Sequence, residues 1–175
     1  IRDGDSWLEF RRVLFRSNWI ACLVVKCIFS NLTTRQAIQL HELTVDQICS
    51  IMEEGIHKDI FTRGGGGNFP RNVGLSPLSG VNPDEAFDVT PYAVATDKHF
   101  ISKITTYHLP RKLKVSYSSC NHDDAHCTVQ DLGFIATLKD NKPYFNVYVG
   151  GGLGKNPKVG LKLDEPIEAK DALYY

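Results

Sequence analysis

Apolar and polar positions change their period several times along the chain, and each change predicts an element. Residues 19–29 are apolar and β-branched almost throughout, the pattern of a buried strand. Residues 31–41 alternate loosely, with Thr33, Arg35, Ala37, Gln39 and His41 on one side and Thr34, Gln36, Ile38 and Leu40 on the other. That alternation predicts a strand lying on a core, while the content of Arg, Gln, Ala and Leu leaves a helix open. Thr44 with Gln47 three residues on predicts a capping box, and Val45, Ile48, Ile51 and Met52 then repeat at helical spacing as far as Gly55. Pro83-Asp-Glu suits a helix start, and Pro91 a second helix over about 92–107, ended by Pro110. Three strands follow at 112–118, 132–138 and 144–149, the last two separated by a hairpin-like break at 139–143. A further helix begins at Glu168.

Composition narrows the class without naming a function. The chain has 175 residues, and 20 Lys plus Arg balance 20 Asp plus Glu, so no basic excess points to a nucleic-acid partner. A hydrophobic content of 42% fits a packed domain. No apolar run is long enough to span a bilayer, the longest candidate being interrupted by Lys26 and two cysteines. The five cysteines read as reduced thiols of a cytoplasmic protein. Neither Cys22 with Cys27 nor Cys120 with Cys127 has zinc-knuckle spacing, so no metal site is predicted from them. Residues 8–17 look like a sequencing adapter translated in frame, and residues 1–17 are set aside as an expected artefact.

The candidate chemistry is cationic. In Leu109-Pro-Arg-Lys-Leu-Lys114 a strand would put Lys112 and Lys114 on one face and Arg111 and Leu113 on the other. Alone, such a pair describes a solvated strand start. Two glycine loops accompany it: Arg63-Gly-Gly-Gly-Gly-Asn-Phe-Pro-Arg71, with an arginine at each end, and Gly150-Gly-Gly-Leu-Gly-Lys-Asn-Pro-Lys158 with two lysines. The second lacks the ending of a nucleoside-triphosphate loop. Arg35, Arg71 and the 111–114 cations beside such loops suggest a pocket for a polyanion, since guanidinium groups grip carboxylates in bidentate fashion and lysines act as point charges.

These segments carry a specific resemblance. Leu32-Thr-Thr-Arg-Gln-Ala-Ile-Gln-Leu-His41, Gly67-Asn-Phe-Pro-Arg-Asn-Val73, Leu109-Pro-Arg-Lys-Leu-Lys114, Asp131-Leu-Gly-Phe134 and the second glycine loop look like the sirohaem-dependent sulfite and nitrite reductases, in the family's order, over roughly residues 30–175. The resemblance implies that Arg35 and Arg111 hold sirohaem carboxylates, that Gln39 lies against the macrocycle, and that Asn68 also belongs to the cofactor site. It implies that Arg71, Lys112 and Lys114 point at the oxyanion on the sirohaem iron. The family reduces sulfite to sulfide, or nitrite to ammonia, by six electrons delivered through a [4Fe-4S] cluster from a donor such as ferredoxin or a flavoprotein. Its sulfite branch tends to keep lysine at the position of Lys114, where the plant-type nitrite branch tends to place asparagine, which leans the reading towards sulfite with nitrite as the alternative. A non-catalytic tetrapyrrole or anion carrier is the other alternative.

The departures are equally definite. The family's Cys-x5-Cys and Cys-x3-Cys cluster ligands do not occur here, and neither does the Arg-x-Arg-x-Pro segment that supplies a further substrate arginine. The 175 residues alone are therefore expected to be inactive. The fold class expected is α+β, with mixed sheets and packed helices: residues 18–50 as the remnant of a ferredoxin-like half domain, and 51–175 as a truncated sirohaem-binding α/β domain.

Overall fold

A computed structural model describes residues 29–58, 60 and 67–174. The strand expected over 19–29 lies outside the described residues except for its last position, as does most of the first glycine run. The chain divides into two units, Ile1–Arg63 and Gly64–Tyr175, each taken here by itself.

In the first unit the expected strand over 31–41 is instead a hairpin of β1 (Phe29–Leu32) and β2 (Ile38–His41), paired antiparallel from Phe29↔His41 to Leu32↔Ile38. The break lies in the threonine-led turn between them. The Thr33 N–H donates to the Ala37 carbonyl (2.8 Å), and the Thr33 hydroxyl accepts the Ala37 N–H (3.1 Å). A short hydroxyl side chain that satisfies nearby backbone in this way competes with the ladder. Helix α1 (Val45–Ile56) follows with both bonds of its capping box made: the Thr44 hydroxyl accepts the Gln47 N–H (3.3 Å), and the Gln47 amide oxygen accepts the Thr44 N–H (2.8 Å).

The second unit is built on one mixed sheet in the order β3 (Gly74–Leu75), β4 (Val115–Ser118), β5 (Leu132–Lys139), β6 (Lys142–Val149), β7 (Leu161–Lys162), with β8 (Ile167–Glu168) also on β6. The pairs β3–β4 and β4–β5 are parallel, and β6 runs antiparallel to β5, β7 and β8. The β5–β6 turn is two residues long, with Asp140 and Asn141 both at positive φ (51° and 60°). That backbone matches the twist of a hairpin and suits Asp and Asn. Helix α2 (Thr90–Ser102) carries Pro91 in its first turn, as expected, but stops before 107, where Thr106 instead bonds back to the Lys103 carbonyl through its hydroxyl and its N–H. No helix starts at Pro83, because the side chains that would have served it hold turns: Asn82 accepts the Asp84 N–H (3.0 Å), and Glu85 accepts the Gly80 N–H (2.6 Å). The C-terminal helix is a 3-10 helix over Ala169–Tyr174, with Glu168 kept in the ladder opposite Tyr144.

The core lies between the sheet and α2. Tyr117 of β4 stacks on Phe134 of β5 with ring centroids 4.6 Å apart, and Phe145 of β6 meets both rings edge-on, along with Phe87 and Tyr92. All three central rings are buried, and such pairs contribute about 0.5–1.5 kcal/mol each beyond their burial. The Tyr117 hydroxyl meets the Thr96 hydroxyl of α2 at 2.8 Å, pinning helix to sheet. Among the described residues no helix is long and apolar enough to cross a membrane.

Burial pushes the Tyr117 phenol up to about 12, against the opposing effect of the Thr96 hydrogen bond. The unfolded chain ionises this group near its usual value of about 10, so its stabilising contribution is complete below that pH and is lost as pH rises towards 12. The loss amounts to about 2–3 kcal/mol. Tyr117→Phe is expected to flatten this alkaline slope in urea unfolding measured from pH 7 to 11, and to cost about 1 kcal/mol at neutral pH through the missing hydrogen bond.

Candidate functional site

Strand direction decides what gathers at each end of the second sheet. Because β3, β4 and β5 are parallel and β6 runs against them, the starts of the first three lie beside the end of β6. The registers Val115↔Leu132 and Leu132↔Val149 align these ends, and hydrogen bonds carry the alignment one step further out. The Leu132 N–H donates to the Lys114 carbonyl (3.1 Å), the Lys114 N–H to the Asp131 carboxylate (2.8 Å), and the Gly150 N–H to the Asp131 carbonyl (2.9 Å). On the other side the Arg71 N–H donates to the Leu113 carbonyl (2.8 Å), beside a parallel bridge between Pro70 and Leu113. Arg71, Lys114, Asp131 and Gly150 thus form a row across one sheet end.

The segment entering β3 carries one residue more than its neighbour. Pro70 pairs with Leu113 and Gly74 with Ser116, so four steps on one strand oppose three on the other, which is a bulge. The Val73 N–H within it leaves the ladder and donates to the Asp97 carboxylate of α2 (3.4 Å). Burial raises the Asp97 carboxyl above its ordinary value, with this N–H working against it. The Arg71 guanidinium donates through Nη2 to the Gly67 carbonyl (3.3 Å), holding the loop that includes the exposed Asn68 against the same end.

Of the residues singled out in the sequence, Asn68, Arg71, Arg111, Lys112 and Lys114 therefore come to one sheet end. Arg111 and Lys112 are exposed, and Arg71 and Lys114 half-buried. Among the described residues, none of Arg111, Lys112 and Lys114 has a carboxylate within ion-pair distance. Asp131 brings a carboxylate to this end, but onto the Lys114 main-chain N–H; cations gathered without an ion-pair partner repel one another, and a bound anion relieves that cost. Arg35 and Gln39 belong to the first unit, Arg35 half-buried in the β1–β2 turn and Gln39 exposed on β2.

The second glycine loop roots at the same end. Gly150 takes φ of 75°, and a Cβ on Gly151 would lie 2.7 Å from the carbonyl oxygens of both Thr128 and Gln130. Gly152 and Lys158 exchange both backbone hydrogen bonds (2.9 and 2.8 Å), which makes 153–157 the tip of a hairpin with Lys155 and Lys158 exposed.

Sequence reasoning missed the aspartates. Asp131 stands in a quoted motif but received no role. Asp123 caps the 3-10 turn Cys127–Val129 by accepting the N–H groups of Cys127 (2.5 Å) and Thr128 (3.0 Å), and Asp124 accepts the hydroxyls of Ser76 (2.8 Å) and Ser118 (2.9 Å). Burial works to raise the Asp124 carboxyl, but those two hydroxyls, together with the Cys120 thiol and the residue's own main-chain N–H, hold the group below its ordinary value. No local spacing signals these roles: Asp123 reaches four and five residues on, beyond the two or three of an ordinary cap, and Asp124 reaches Ser76 across 48 positions.

The described cysteines do not form a cluster site. Cys49 is exposed on α1, while Cys120 and Cys127 are buried, and burial pushes both of those thiols up. Among the described residues no group of His, Cys, Asp or Glu could hold a metal ion. The cations at the sheet end, by contrast, suit a polycarboxylate group and a small oxyanion.

Residues 66–175 match the family model described as the nitrite and sulphite reductase 4Fe-4S domain. The chain is 30% identical over 149 residues to the assimilatory ferredoxin-dependent nitrite reductase of Haloferax mediterranei, covering 82% of this chain and 25% of that protein. It is 30% identical over 135 residues to the sulfite reductase [ferredoxin] of Mycobacterium tuberculosis, covering 77% and 24%. The solved structure of the Mycobacterium tuberculosis NirA protein aligns with a TM-score of 0.82 at 26% identity, over 92% of this chain and 29% of that one. The chain thus spans about a quarter of the length of these curated relatives.

Gly151→Ala is expected to lift the hairpin root off the 128–130 turn. Overpacking against two carbonyls should cost about 1–3 kcal/mol, read as a lower urea midpoint with an unchanged slope.

Proposed function

Because the chain belongs to the nitrite and sulphite reductase 4Fe-4S domain family, we propose that it supplies the anion-holding sheet end of a sirohaem-dependent reductase that takes sulfite to sulfide. One observation carries this reading: Arg71, Lys112 and Lys114 gather at one sheet end, with Lys114 half-buried and lacking a carboxylate at ion-pair distance among the described residues. A doubly charged anion gains more from that third cation than a singly charged one does.

Arg71, Lys112 and Lys114 bind and orient the oxyanion. Their positive charge stabilises negative charge on its oxygens as these leave as water, the step at which such preorganised groups act. Arg111 and Asn68 hold the polycarboxylate macrocycle at the same end, while the roles of Arg35 and Gln39 rest on the resemblance alone. When bound, sirohaem supplies the iron at which sulfur or nitrogen is reduced. The described residues hold no ligand set for the iron–sulfur cluster, so the whole reaction needs more than these residues, and the 175-residue chain alone is expected to turn over neither anion. Six electrons and six protons carry SO3(2−) to S(2−) and three waters. The donor is a ferredoxin, in keeping with the names of the relatives above, and the compartment is the cytoplasm. Residues 18–50 are read as part of a ferredoxin-like half domain preceding the sirohaem-binding portion.

Nitrite is the second reading: the Haloferax mediterranei nitrite reductase matches over 149 residues and the Mycobacterium tuberculosis sulfite reductase over 135, at the same 30% identity. Absorption spectra of the full-length protein loaded with sirohaem separate the two. The sirohaem band is expected to shift at lower concentrations of sulfite than of nitrite, and Lys114→Asn to weaken the sulfite response about tenfold, the worth of roughly one charge-assisted hydrogen bond. A band that answers nitrite more tightly transfers the assignment to nitrite. A protein that takes up no sirohaem removes it altogether.

A further inference from the structure

Lys114 sits one step before the β4–β5 ladder begins, where a parallel strand would ordinarily find its acceptor on the neighbouring main chain. Its carbonyl is taken by the Leu132 N–H, but its own N–H is met by a side chain, the Asp131 carboxylate, at 2.8 Å. The residue before Asp131 belongs to a turn and not to the ladder: the Gln130 N–H closes the 3-10 turn on the Cys127 carbonyl (3.2 Å), and regular β4–β5 pairing begins only at Leu132. Asp131 then uses its own carbonyl for the Gly150 N–H. One residue therefore ties the lysine-bearing strand to the root of the second glycine loop.

The direction in which a side chain leaves the backbone is set by the φ and ψ of its residue, and those of Lys114 are constrained by bonds at both its N–H and its carbonyl. On the far side, the Arg71 N–H on the Leu113 carbonyl holds the other end of the same peptide, since that carbonyl and the Lys114 N–H share one plane. Without an acceptor at 131, a half-buried N–H at the strand start would be left unmet or would turn to water, and the lysine would lose one of the three bonds that fix its origin.

Resting on the reading given under "Proposed function", we propose that Asp131 is a positioning residue for Lys114, acting as a main-chain hydrogen-bond acceptor and not as an ion-pair partner of the lysine. An acceptor role and a charge role part company at Asp131→Asn, whose amide oxygen can receive the same N–H, whereas Asp131→Ala removes both.

The test uses the full-length holoenzyme in five forms: unaltered, Asp131→Asn, Asp131→Ala, Lys114→Met, and Asp131→Ala combined with Lys114→Met. Sirohaem content, the sulfite concentration that shifts its band, KM and kcat are measured for each. Asp131→Ala is expected to keep its sirohaem and to raise KM about tenfold with a smaller fall in kcat. Asp131→Asn is expected to stay within about threefold of the unaltered enzyme. In the Lys114→Met background, Asp131→Ala should add little, since both changes remove one interaction. Sulfite binding unaltered in Asp131→Ala overturns the proposal, as does an Asp131→Asn variant as weak as Asp131→Ala, because charge would then be what matters. Additive effects in the double variant, or sirohaem lost from Asp131→Ala, also overturn it, since the residue would then serve the fold at large. An unaltered holoenzyme that answers neither sulfite nor nitrite removes the underlying reading and this inference with it. An unaltered enzyme that answers while Asp131→Ala answers equally well overturns the inference alone.

Discussion

The parallel ladder between β4 and β5 is the constraint on which the second unit depends. Tyr117 stacked on Phe134 sits directly across this pairing, and Phe145 closes the group from β6. A parallel register is reached only through a long crossover, here the 119–131 connection, so the aromatic contacts stabilise a pairing that no short turn could enforce. With the register in place, everything at the starts of β3, β4 and β5 is carried into one row. The core thus sets the position of the cations through the strands that carry them.

The two faces of this arrangement divide the electrostatic work. On the core side the polar groups are few and matched, as with Thr96 and Tyr117. Around the 119–131 connection, aspartates are used up on hydroxyls and main-chain N–H groups: Asp123 on the Cys127–Val129 turn, Asp124 on Ser76 and Ser118, Asp131 on Lys114. Negative charge near the sheet is in this way committed to structure. Lys112, Lys114 and Arg111 at the sheet end have no described carboxylate at ion-pair distance, which is the condition the proposed anion site needs.

Local chemistry was the legible part of the sequence. The capping box at Thr44 and Gln47 and the apolar runs of β5 and β6 each depend on residues a few positions apart and formed where expected, while the break expected over 139–143 narrows to the two-residue turn Asp140-Asn141, with Lys142 and Pro143 joining β6. The α+β class and the family were legible as well, through motifs in fixed order. The hairpin break at Thr33–Ala37 and the turns at Asn82 and Glu85 were not, because a polar side chain can serve either a regular element or the turn that interrupts it, and only the surrounding packing decides. Asp131 could not be given a role for a different reason: its bond to Lys114 spans 17 positions, beyond the reach of any periodicity. The face of Lys112 and Lys114 was argued from an ideal strand, whereas regular pairing begins only at Val115.

The bulge ahead of β3 bears on the phase of the chain. Neighbours in a parallel pair point the same way, so pairing Pro70 with Leu113 sets Arg71 level with Lys114, whereas the register of Gly74 with Ser116, continued backwards, would have set it level with Leu113 and on the reverse side of the sheet. The extra residue lets a single segment satisfy two incompatible alternations, one for the arginine and one for the strand beyond it. Residue count between Arg71 and Gly74 is thereby as much a determinant of this sheet end as residue identity: a loss of one position there would turn the arginine to the other side of the sheet with every remaining residue unchanged.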